Sequence, residues 1–235
     1  MDYVKPIPRL RATSIAALMA LALSSNTTLA AELPSTISLS LKTVSRIAPQ
    51  ISDQVVSAAL RALSCATSRS DLRPSTLAII DYSLPSTKPR FWLLDLEQQK
   101  LLLQELVAHG KGSGENFANR FSNEPGSLSS SLGLYQAGER YVGTHGPSLR
   151  LIGLERGYND RAFERAIVLH GATYVSPEFI AEHQRLGRSW GCPALSPAAA
   201  KRAISFLSDT NGFLFVYYPD SKWLKSSPLL KSCSS

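Results

Sequence analysis

The chain of 235 residues carries 25 Lys and Arg against 18 Asp and Glu, a formal net charge of +7. That surplus favours anionic surroundings in general. No basic run interleaved with aromatics stands out, so nucleic acid is not an expected partner.

Residues 1–30 read as a secretory signal. "MDYVKPIPRLR" supplies Lys5, Arg9 and Arg11, "ATSIAALMALAL" is an uncharged run of twelve residues, and small residues stand at Thr28 and Ala30. The apolar run is too short to span a bilayer, and the three-part layout is that of a cleaved leader. The expectation is cleavage after Ala30 and an exported protein, with no stable membrane insertion afterwards. What remains is long enough for one catalytic-size domain and a small extension.

Residues 31–70 are expected to form an N-terminal helical extension. In "ISDQVVSAALRALSCATS" the residues Ile51, Val55, Ala59, Leu60 and Leu63 fall at helical spacing. The main domain is placed at 71–218. Short apolar runs at 76–82, 90–96 and 101–108 read as strands, the last two joined by a hairpin loop at "EQQK". A passage rich in glycine and serine follows (109–131), then further strands around "LGLY", "SLRLIGL" and "RAIVLH". Ser176 with Pro177, and Ser196 with Pro197, are N-terminal signals for two helices, the second running through Leu207. "FLFVYY" (213–218) reads as a buried strand, and 219–235 as a C-terminal tail. The sum is a mainly β domain with two or three short helices, without an alternating βαβ series.

The candidate chemistry centres on "HGATYVSPEFIAEHQRLGRSWGCPAL" (170–195). "GRSWG" fits the pattern of a serine elbow, but such enzymes place their histidine after the serine, and the last histidine, His183, precedes Ser189. His145, His170, His183 and Cys192 match no short metal-ligand spacing, so no metal and no cofactor are expected. A Cys/His pair fits better. His170 closes an apolar strand and is followed by Gly171. Cys192 follows Gly191, where a missing side chain admits substrate to the backbone. Backbone N–H groups near Gly191 and Cys192 would face a developing oxyanion. A thiol so activated is expected to react well below its ordinary pKa.

The other histidines read differently. His109 suits a solvated turn, His145 is a candidate for the cleft wall, and His183 suits a helix C-terminus. The three cysteines, Cys65, Cys192 and Cys233, leave at least one thiol unpaired. Pairing of Cys65 with Cys233 would clamp the two ends of the chain.

"VLHG…SWGCPAL" resembles the H-G … [ST]-x-G-C signature of the murein L,D-transpeptidase catalytic domain family (YkuD-type). "STKPRFWLLDL", "VAHGKGSGENFANRFSN", "GTHGPSLRLIGLE" and "RAIVLHGATYVS" extend the likeness over roughly 71–218. The resemblance implies a β-sandwich-like catalytic domain acting on peptidoglycan tetrapeptide stems. It implies Cys192 as nucleophile, His170 as base, Gly171 as the residue whose carbonyl orients it, and Ser189 and Gly191 as supports near the oxyanion. An L,D-carboxypeptidase and a non-catalytic wall-binding module are the alternatives.

Two departures stand out. The family pattern continues Cys-[IV]-Arg, whereas this chain reads Cys192-Pro193-Ala194, and the 22 positions from His170 to Cys192 exceed the usual spacing. With that arginine missing, Arg188 is the first candidate for a cation that clamps a substrate carboxylate, and Arg185 the second. Tyr174 is a candidate for the groove. Oligomeric state is not legible.

Overall fold

Two uninterrupted apolar runs build the centre of the molecule. "TLAIID" forms β1 (Thr76–Asp81) and "FLFVY" forms β8 (Phe213–Tyr217); every residue of both is buried. They pair in parallel, Leu77 opposite Phe213 and Asp81 opposite Tyr217, and strands covered on both faces are expected to lack polar alternation. The computed structural model describes residue 1 and residues 40–68, 72–231 and 233. The expected leader at 1–30 therefore lies outside the described residues, apart from Met1.

Around this pair stand β2 (Phe91–Asp95), β3 (Lys100–Glu105), β4 (Gly133–Gly143), β5 (Gly146–Gly153), β6 (Val168–Gly171) and β7 (Ala194–Leu195). They form one sheet in the order β3-β2-β1-β8-β4-β5-β6-β7. The two edges of this sheet meet. The chain leaving β3 pairs with the approach to β7, with bridges Ala108↔Ala194 and Gly110↔Ser189. Ala108 N–H donates to Ala194 O (2.8 Å), Ser189 N–H to His109 O (3.0 Å) and Lys111 N–H to Ser189 O (2.8 Å). This seam curls the sheet back on itself, and the mainly β, sandwich-like expectation is met.

Six α-helices are present among the described residues: two within 71–218, in keeping with the two or three read there, two in the expected N-terminal extension, and two in the stretch read as a tail. The two signalled by Ser-Pro form as expected. α3 (Pro177–His183) and α4 (Pro197–Asp209) are capped by Ser176 and Ser196, whose side chains accept from Phe179 N and Ala199 N. α4 buries Ala199, Ala200, Ala203, Ile204 and Leu207 at helical spacing. Gly171 packs under it, where an added Cβ would lie 3.0 Å from Pro197 Cα.

α1 (Leu41–Ile47) and α2 (Asp53–Ser68) precede the sheet, and α5 (Ser221–Ser226) and α6 (Pro228–Lys231) follow it. The last two occupy the stretch read as a tail, and Trp223 in α5 is fully buried. Its Nε1–H donates to the buried Glu155 carboxylate (3.0 Å), as does Ser227 Oγ–H. Cys65 in α2 and Cys233 form a disulfide. Val44, Val55 and Leu229 share one apolar cluster with the strands. α1, α5 and α6 carry too few turns to show a period in sequence, unlike α2, and tertiary packing holds them. Among the described residues no helix is long and apolar enough to cross a membrane.

Candidate active site

The parallel register of β6 and β7 sets His170 opposite Ala194. Cys192, two residues before Ala194, therefore arrives level with Val168, two residues before His170. Val168 and His170, two apart, share a strand face, and the thiol reaches the backbone of that strand. Val168 N–H donates to Cys192 Sγ (3.4 Å), and the thiol donates to Ala166 O (3.8 Å).

The His170 ring is buried, and its Nδ1 lies 3.0 Å from Gly171 O. A carbonyl only accepts, so Nδ1 carries the proton of the neutral ring and Nε2 keeps its lone pair for a proton from outside. Burial, and then the neighbouring His145, hold the His170 pKa below its ordinary 6.5, despite the opposing Gly171 hydrogen bond. His145 stacks on His170 with ring centroids 4.9 Å apart, so this cleft candidate does reach the site.

The thiol is not pre-ionised. Burial pushes the Cys192 pKa above 9.0, against the lowering effects of the Val168 N–H and of Arg165. Its hydrogen-bond partners are backbone groups rather than an imidazolium, which departs from the activated thiol expected from sequence. At pH 7 both groups are then neutral, so a proton transfer between them would accompany attack rather than precede it. Alkylation of Cys192 by iodoacetamide, followed by intact mass, is expected to keep accelerating through pH 9. A plateau between pH 6 and 8 would instead reveal a standing thiolate–imidazolium pair. The acid limb of kcat/KM is expected below pH 6.5, where His170 gains its proton.

Ser189 supports the turn from within. Its hydroxyl donates to Cys192 O (2.5 Å) and accepts from Gly191 N–H (3.1 Å). The Gly191 N–H, expected to face an oxyanion, is thus committed to Ser189. Among the described residues the Cys192 N–H has no partner, and it is the donor left for that task. Gly191 has φ +129, a conformation open to glycine, and the Cβ of an alanine at Gly110 would lie 2.7 Å from Gly191 Cα. The seam closes only because two glycines meet there.

Tyr174 is half-buried near the thiol, its hydroxyl pushed up to about 12 by burial first and then by the Cys192 charge. Arg188 and Arg185 converge elsewhere. Both hold Glu115, Arg188 Nη1 at 2.5 Å and Arg185 Nε at 3.0 Å. Their guanidinium groups already have a carboxylate, which weakens the reading of either as a substrate clamp.

The guanidinium whose charge reaches Cys192 is that of Arg165, a residue not singled out in the sequence. It donates to Ser122 O (2.7 Å), Ser129 O (2.5 Å), the Ser131 hydroxyl and Ser127 Oγ. It thereby fastens the serine-rich passage beside Gly191, where an added Cβ would come within 3.3 Å of its Nη2. The signal that would have pointed to it is an arginine opening the apolar strand that ends in His170.

His109 is the other surprise, because it is fully buried rather than solvated. Arg90 Nη2 donates to its Nδ1 (2.7 Å), so its Nε2–H faces Gly114 O (3.3 Å). Burial first, then Arg90, drives its pKa down to about 3 and keeps it neutral. It lies on the seam, where the chain after β3 turns inward. Its backbone carbonyl holds Ser189, a supporting role for the site. Among the described residues no group of three or more His, Cys, Asp or Glu side chains is placed to hold a metal ion.

The model of the L,D-transpeptidase catalytic domain matches residues 47–217. Similar solved structures include an L,D-transpeptidase from Mycobacterium smegmatis (13% identity, TM-score 0.38, covering 62% of this chain and 59% of that one). A helical cell-shape-determining protein from Campylobacter jejuni is 12% identical (TM-score 0.43, covering 63% and 48%). An L,D-transpeptidase from Stackebrandtia nassauensis is 13% identical (TM-score 0.37, covering 77% of each chain). The chain thus spans less than two thirds of the length of the first two. No curated protein matches it. The chain belongs to the L,D-transpeptidase catalytic domain family, and its matched segment takes in both His170 and Cys192.

Proposed function

We propose that the protein is a cysteine acyltransferase acting on peptidoglycan stem peptides, joining them by 3→3 cross-links. The observation that carries the proposal is the arrangement of β6 and the chain entering β7. Val168, two residues before His170, donates to the Cys192 sulfur, and the buried His170 imidazole has its Nδ1–H fixed on Gly171 O, leaving Nε2 as the proton acceptor. His170 takes the Cys192 proton as sulfur attacks the carbonyl of the stem's third residue. The C–N bond to the terminal D-Ala breaks, its amine leaves with the imidazolium proton, and a thioester remains. An amine of a neighbouring stem then attacks the thioester, losing a proton to His170, and the thiol is restored. The unpartnered Cys192 N–H would serve as donor to the oxyanion, and the fixed charge of Arg165 acts on the sulfur.

Two features support an exported setting. Residues 1–30 have the layout of a leader, and the Cys65–Cys233 disulfide suits an oxidising compartment.

The test is incubation of purified protein with a disaccharide-tetrapeptide and reading of the products by mass. A dimer linked 3→3 supports the transpeptidase. Tripeptide alone turns the reading to an L,D-carboxypeptidase with water as acceptor, and no product turns it to a wall-binding module.

A further inference from the structure

Trp190 stands two residues before the nucleophile with 74% of its surface exposed, while Trp92 and Trp223 are 1% and 0% exposed. A lone exposed aromatic is ordinary. This one differs in how it is held. Ser189 on one side is fixed by Ser189 N–H to His109 O (3.0 Å) and Lys111 N–H to Ser189 O (2.8 Å). Gly191 on the other is fixed through its N–H to Ser189 Oγ (3.1 Å). The ring is therefore presented to solvent by a backbone that is already ordered, so a ligand stacking on it meets a small ordering cost. Chain geometry keeps the Cα atoms of Trp190 and Cys192 within about 7 Å of each other. Lys111 places its ammonium 5.5 Å from the ring centroid, so an apolar face and a hydrogen-bond donor stand side by side.

We infer that Trp190 and Lys111 form a saccharide subsite, which receives the sugar attached to the stem peptide being processed; this rests on the function proposed above. A pyranose presents an apolar C–H face that stacks on an aromatic ring, and a rim of hydroxyl and acetamide oxygens that accept from an ammonium. Trp190 thus acts on binding, and the acyl transfer itself stays with Cys192 and His170.

The test compares wild type, Trp190→Ala, Trp190→Phe and Lys111→Ala on two donors, a disaccharide-tetrapeptide and the same tetrapeptide without sugar. Wild type is expected to prefer the sugar-bearing donor roughly tenfold in kcat/KM. Trp190→Ala should erase that preference through KM, with kcat and turnover of the free peptide within about twofold of wild type. Trp190→Phe should restore part of it, and Lys111→Ala should fall between. Equal handling of both donors by wild type, or an equal loss on both in Trp190→Ala, overturns the subsite while leaving acyl transfer standing. A second readout is independent of turnover. Since the other two tryptophans are buried, titrating the disaccharide alone into Cys192→Ala protein should shift or quench the Trp190 emission. The change should vanish in Cys192→Ala/Trp190→Phe. An unchanged spectrum at saturating disaccharide rejects the subsite, even if no donor is turned over.

Discussion

Cys192→Ala and Cys192→Ser lower turnover of the disaccharide-tetrapeptide by at least about a thousandfold, with the fold intact. The proposed mechanism needs a sulfur that can both attack and leave. A hydroxyl at this position is a far weaker nucleophile, and His170, held below its ordinary basicity, is poorly matched to deprotonating it. Stability should change little. Among the described residues Sγ makes two long hydrogen bonds, to Val168 N–H at 3.4 Å and Ala166 O at 3.8 Å. The checks are product mass against time, and circular dichroism with thermal melting for the fold. Retention of more than about a tenth of wild-type turnover would move the nucleophile elsewhere.

The second large effect concerns stability. The Cys65–Cys233 bond closes a loop of 168 residues. Restricting the unfolded chain over that span is worth about 5 kcal/mol in the chain-entropy picture, and native disulfides removed by mutation cost about 2–5 kcal/mol. At about 2–4 °C per kcal/mol for a chain of this size, Cys65→Ala/Cys233→Ala should melt roughly 5–15 °C below wild type. The double variant is preferable to reductant, because Cys65 is 1% exposed and shielded. Activity at 25 °C should survive, since neither cysteine belongs to an element that carries the site. A melting temperature within about 1 °C of wild type would show that the bond adds nothing.

How much of this was legible beforehand divides along physical lines. β1, β2 and β8 are apolar runs whose burial needs no partner to be guessed, and they appear within a residue or two of the expected bounds. α3 and α4 were readable because a serine cap followed by proline is local chemistry. The seam was not. It joins residues around 108–110 to residues around 189–194, and no local pattern encodes which two sheet edges meet. His109 was misread for that reason, since a histidine opening a glycine-rich loop looks solvated until the loop turns inward. Arg188 looked suited to a substrate carboxylate because it lies four positions before Cys192, yet Glu115 occupies it from 73 residues away. Arg165 lies further from the cysteine in sequence and closer to it in effect.

The disulfide also constrains how the molecule comes into being. Synthesis runs from the N-terminus, so Cys65 meets Cys192 as a possible partner before Cys233 has emerged. In an oxidising compartment the first pairing on offer is thus a wrong one, and it would consume the sulfur that the chemistry requires. Folding settles the competition: α2 buries Cys65, while the approach to β6 holds the Cys192 sulfur on Val168 and Ala166. In such a compartment maturation would be a race between that burial and oxidation, and chains that lost it would keep a free thiol at Cys233.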